Sequence, residues 1–115
     1  MTSLADKQCV PCKGGVPPLT DTDIAPLLAQ LDEWNVIDTH HLVKQYKLKN
    51  FVQALDLVNR IGAVAEEQNH HPDIFLAWGK VEVKIWTHKI NGLTESDFVF
   101  AAKCDRAFED LNRAA

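Results

Sequence analysis

The chain has no apolar run near the ~20 residues that a membrane-spanning helix requires. It also has no G-x-x-x-x-G-K-S/T phosphate loop, G-x-G-x-x-G fingerprint, H-E-x-x-H or G-x-S-x-G elbow, so the common routes to nucleotide-dependent, zinc-protease and serine-hydrolase chemistry are closed. Basic residues are in deficit, 12 Lys and Arg against 16 Asp and Glu for a net charge of −4, and only Lys44, Lys47 and Lys49 lie close together. Tight binding to nucleic acid, which rests on clustered cations neutralising phosphates, is disfavoured.

Cysteine is scarce and odd in number, with three residues. Cys104 lies far from the Cys9-Val-Pro-Cys12 pair, so no disulfide framework is expected. One C-x-x-C alone is a weak zinc or redox signal. It sits among Pro11, Gly14, Gly15, Pro17 and Pro18 and does not open a helix after a strand, so residues 1–18 are expected to form a mobile or loosely packed arm. No apolar segment follows a basic start as in a secretory leader, which makes the cytoplasm the expected location.

The 115 residues are 46% hydrophobic and 24% charged, enough for one compact domain, taken as 19–115, that buries about two-thirds of its extended surface. Thr20 with Asp23 opens a first helix, carried by Ile24, Leu27, Leu28 and Leu31 to near Asp32. Trp34 to Thr39 and Leu42 to Leu48 read as strands joined by a corner at His40-His41. Asn50 and Gln53 cap a long helix whose apolar stripe runs through Phe51, Ala54, Leu55, Val58, Ile61, Gly62 and Ala65. It must end by His71, because Pro72 disfavours helical geometry in the residue before it. Phe75 to Trp78 and Val81 to His88 alternate as strands around Gly79, Asn91-Gly92 marks a turn, and Thr94 to Asp97 opens a last helix. The order α-β-β-α-β-β-α, with short turns between strands, predicts an α+β two-layer sandwich: a four-stranded antiparallel sheet with three helices packed on one face.

Chemistry-bearing residues gather at Glu66-Glu67-Gln68-Asn69-His70-His71-Pro72. If the helix reaches residue 70, Glu66 and His70 share a face at i, i+4 and the carboxylate can orient the ring. Imidazole gives and takes protons near neutral pH, which suits general acid–base work. His88 ends a strand, where a pocket rim forms most easily, and Phe75, Trp78 and Trp86 could wall a planar ring. A structural reading stands beside this one. His70 and His71 are residues that a helix C-terminus favours, His88 is an exposed strand end, and the tryptophans are core.

Glu66-x-x-x-His70-His71-Pro72, the aromatic Trp78, Thr87-His88 and Asp97 follow the spacing of the pterin-4a-carbinolamine dehydratase signature, and Trp34, Leu48 to Ala65 and Gly92-Leu93-Thr94-Glu95 also resemble that family. The resemblance covers about Leu19 to Ala107. It implies loss of water from a 4a-hydroxytetrahydropterin to give the quinonoid dihydropterin, in recycling the cofactor of aromatic amino acid hydroxylases, with no metal or other cofactor. It places His70, His71 and His88 around the reacting face, Glu66 behind His70, and Pro72, Phe75, Thr87, Asp97 and Trp78 as candidate pterin contacts. Asp97 has a competing role as a helix cap and Trp78 as a packing residue. The pterin is the implied small-molecule partner, an aromatic amino acid hydroxylase a possible protein partner, and a homodimer or homotetramer the expected assembly, since an open sheet leaves edges to pair.

Two other readings compete. Members of the resembled family also serve as dimerisation partners of a transcription factor, and some bacterial members are linked to regulation or molybdopterin metabolism, so a regulatory binding module is possible. Glu66, His70, His71 and His88 also have the composition of a zinc or iron ligand set.

Overall fold

The computed structural model describes residues 3–10 and 16–114. Cys12, half of the C-x-x-C pair, lies outside the described residues. Helix α1 (Asp21–Leu28) begins at a true capping box: the Thr20 hydroxyl accepts from the Asp23 N–H, and the Asp23 carboxylate accepts from the Thr20 N–H at 3.1 Å. The helix ends earlier than expected and continues to Leu31 only as tight turns. Strands β1 (Asn35–Ile37) and β2 (His41–Lys47) follow, then α2 (Phe51–Gln68), β3 (Asp73–Ala77), β4 (Lys80–Ile85) and α3 (Glu95–Ala114). The sheet is antiparallel throughout in the order β1-β2-β4-β3, with Tyr46 opposite Val81 and Leu76 opposite Val81 on the other side. The expected sandwich is the observed fold.

Period-two alternation sorts the sheet faces. Leu42, Tyr46, Val81, Val83 and Ile85 point into the core against Ala54, Leu57, Ile61 and Ala65 of α2 and Phe98, Ala101 and Cys104 of α3. Each fully buried Leu or Ile contributes about 1.5–3 kcal/mol, which makes this contact the main source of stability. The buried stripe of α2 is rotated from the expected one: Leu57 is in the core, whereas Phe51 and Leu55 are exposed, because the apolar surface of this helix is wider than the strip the sheet covers. Asp105, a charged residue between buried Cys104 and exposed Arg106, turns inward and accepts from Lys44 Nζ (2.8 Å), Tyr46 Oη (2.6 Å) and Trp34 Nε1 (3.0 Å).

The β1–β2 corner is made by Asp38 and Thr39, both at positive φ (54° and 56°), so His41 belongs to the strand rather than to the turn. A β-branched residue there is strained. The turn presses His40 against His41, Nδ1 to Nδ1 at 3.0 Å, an arrangement that holds only while at least one of the facing nitrogens is unprotonated. Burial, then the charges of Lys84 and His40, hold the His41 ring below its ordinary value, with Asp38 opposing. The unfolded chain therefore binds this proton more readily. The contribution is whole above the unfolded value of 6.5 and is lost as pH falls through it toward the lower folded value. We expect the urea midpoint to fall less between about pH 7.5 and about pH 5.5 in a His41→Gln protein than in the parent. Equal falls would remove His41 as the source.

Candidate active site

The decisive local event is the end of α2. Asn69 takes the left-handed conformation (φ 52°, ψ 44°), and its N–H and that of His70 both fold back on the Ala65 carbonyl. The helix therefore stops before His70, and the i, i+4 relation of Glu66 to His70 is never made. Glu66 instead meets His71, Oε2 to Nε2 at 2.5 Å on the exposed surface. His70 swings inward, where its ring packs edge-on against Phe100 and its Nε2 meets Asp97 Oδ1 at 2.6 Å.

Asp97 is fully buried and ties three elements together. Its Oδ2 accepts from the Thr94 N–H (2.8 Å), capping α3, and from Thr87 Oγ1 (2.9 Å), just beyond β4, while Oδ1 takes His70. The capping role weighed for it in the sequence is present, and its other oxygen meets His70. Thr87 is buried as well, and its backbone pairs with Gly92, where a side chain would collide with Pro18 at 2.6 Å. This closed loop launches His88, the first residue of a short 3-10 turn (His88–Ile90), with its ring 4.4 Å from that of Trp86.

His70, His71 and His88 line one hollow of about 340 Å³, a size within the range of small-molecule sites. The end of α2 supplies Gln68 to His71, the segment after β4 supplies Trp86 to Lys89, and Ser96 closes the side. Cys9 and Val10 complete the wall. Residues 3–10, expected to be loose, lie against α3, with Leu4 buried in the core.

Not every candidate contact is there. Pro72, Phe75 and Trp78 are outside the lining of the hollow. Phe75 lies between inward-facing Ile74 and Leu76 and so projects from the opposite face of the sheet, and Trp78, 68% exposed, occupies the β3–β4 turn. Asp97 and Glu66 also stay off the lining, where they contact His70 and His71. Among the described residues no three His, Cys, Asp or Glu side chains converge as a metal ion requires, so Glu66, His70, His71 and His88 do not form a ligand set. Sequence reasoning gave no site role to Gln68, Asn69, Lys89, Ser96, Cys9 or Val10. Of these only Asn69, a residue type tolerant of positive φ just before His-His-Pro, carried a usable signal.

Residues 17–107 match the model of the pterin 4 alpha carbinolamine dehydratase family. The chain belongs to this family. A protein of Rubrobacter xylanophilus is 60% identical over 106 residues, 92% of this chain and 99% of its own length, and one of Rickettsia canadensis is 56% identical over 106 residues, covering 91% and 97%. Both carry the name pterin-4-alpha-carbinolamine dehydratase, provisionally assigned. Among solved structures, a Brucella melitensis protein described as a transcriptional coactivator/pterin dehydratase superposes with a TM-score of 0.74 at 32% identity, over 78% of this chain and 97% of that one. A pterin dehydratase-like protein described as a RuBisCO assembly factor in the alpha-carboxysome shares the fold, with a TM-score of 0.57 at 20% identity over 66% of this chain and 89% of that one. No helix among the described residues is long and apolar enough to cross a membrane.

Proposed function

We propose that this pterin dehydratase family member removes water from a 4a-hydroxytetrahydropterin by histidine acid–base catalysis. The observation that carries the reading is the convergence of His70, His71 and His88 on one hollow, each ring held by a different partner: Asp97, Glu66 and Trp86. In the reaction the C4a–O bond breaks and the hydroxyl takes a proton to leave as water. The proton on the adjacent ring nitrogen departs, and its N–H electron pair becomes the new C=N bond of the quinonoid product. Proton in and proton out balance, with no net electron transfer. Two groups must act on opposite sides of this exchange, which imidazoles at one site do well.

The proposed setting is pterin recycling beside an aromatic amino acid hydroxylase in the cytoplasm, in a homo-oligomer. Self-association is supported by β1 and β3, which stand at the two edges of the sheet. The test is a coupled hydroxylase assay that follows decay of the 4a-hydroxy intermediate. Purified protein is expected to accelerate that decay, and a rate equal to the uncatalysed one, beside a working positive control, would refute the reading. A regulatory role draws support from the coactivator description of the Brucella structure. It predicts that a His70→Ala protein restores a deletion phenotype as well as the parent does.

A further inference from the structure

The segment before the matched family region is built into the site. The chain at residues 3–10 is fixed to the body at both ends. At one end Leu4 is 4% exposed within the core, and Lys103 Nζ donates to the Ala5 carbonyl at 2.9 Å. At the other, the Cys9 N–H donates to Gln68 Oε1 (2.8 Å) and the Val10 N–H to Ser96 Oγ (2.9 Å). Gln68 and Ser96 are both buried, so these bonds are shielded from competing water and hold the strap in register with the end of α2 and the start of α3. Held in this way, Cys9 and Val10 line the histidine hollow.

Cys9 has no chemical part to play in this position. Burial raises its thiol to about 11, so it stays protonated at neutral pH, and its sulfur lies 3.5 Å from the Ser96 carbonyl. Val10 carries no reactive group, and its side chain is largely free of neighbours at 72% exposure. An inert wall held by two buried anchors can still discriminate, because specificity comes from excluding one ligand as readily as from gripping another.

We propose that Cys9 and Val10 form the specificity wall of this site, setting how large a substituent a bound pterin can carry. The proposal rests on the pterin reading above and concerns the choice among pterins. Its test is calorimetric binding of two stable 7,8-dihydropterins, one bearing a methyl group and one a dihydroxypropyl chain at the same ring position, to the full-length parent, Val10→Trp and Val10→Gly. The tryptophan is expected to weaken the dihydroxypropyl ligand at least 5-fold more than the methyl ligand, and glycine to shift the ratio the other way. Since Val10 makes few contacts, thermal unfolding should match the parent and shows that a change in ratio is local. Ratios within 2-fold of the parent in both variants overturn the wall. A parent protein that binds neither dihydropterin and shows no turnover instead overturns the pterin reading, and the wall with it.

Discussion

An Asp97→Ala protein is expected to lose dehydration by about 10²-fold or more and to lose stability with it, whereas Asp97→Asn should lose most of the rate while keeping more of the fold. The carboxylate is fully buried and receives the Thr94 N–H, the Thr87 hydroxyl and His70. Deleting it strands those buried groups, at about 1–3 kcal/mol for each left unsatisfied, so a total of about 3–5 kcal/mol is reasonable. Asparagine keeps an oxygen for the Thr94 cap but replaces a charged acceptor by a neutral amide. An ionised carboxylate can only accept, so it selects the tautomer with a proton on His70 Nε2, and in the proposed mechanism this leaves Nδ1 to exchange a proton with substrate. An amide that presents its NH2 to Nε2 selects the opposite tautomer, and the ring then offers a donor where it offered an acceptor. Urea unfolding and kcat measured on both variants separate the contributions. If Asp97→Asn turns over at the parent rate, Asp97 is a helix cap and nothing more.

Local signals were strong enough to draw the fold. The Thr20–Asp23 box, the Asn50 cap and the alternation from Val81 to Ile85 each depend on residues within a few positions, and each formed as read. Failures came where a distant partner overruled a local pattern. A carboxylate such as Asp105 belongs by residue type on a wet helix face, but Trp34, Lys44 and Tyr46 arrive from far along the chain and draw it in. The Gly- and Pro-rich surroundings of Cys9 suggested a loose arm, yet the anchors of residues 3–10 are 59 to 101 residues away and leave no local trace. Glu66 lost His70 for a different reason. The i, i+4 argument assumed that the helix runs two residues further, through His70, and a single left-handed Asn69 stops it. The three histidines were legible because the motif names them; that His70 is gripped from beneath by Asp97 was not, since capping boxes report only on their own helix.

His88→Ala should lower kcat by about 10²-fold with the fold intact, the cleanest of the site substitutions. His88 is exposed and rests its ring on Trp86, so truncation opens no core cavity and strands no buried partner. His70→Ala cannot serve alone as its match, because it leaves the Asp97 carboxylate buried and short of one donor. His70→Gln retains an N–H for that carboxylate but no titratable ring, and is expected to show a comparable loss in kcat. His71 is 56% exposed and held by a carboxylate that is itself 80% exposed, a pairing that solvent screens, so His71→Ala should fall less than either. If His70 and His88 handle the two protons of one dehydration, the double variant should lose less than the product of the single losses, because once one transfer passes to water the other gains less from its imidazole. Single-turnover rates on the carbinolamine, beside circular dichroism of each variant, measure all four. An active parent whose His88→Ala and His70→Gln forms both keep their rates within about 3-fold would take acid–base catalysis away from these rings.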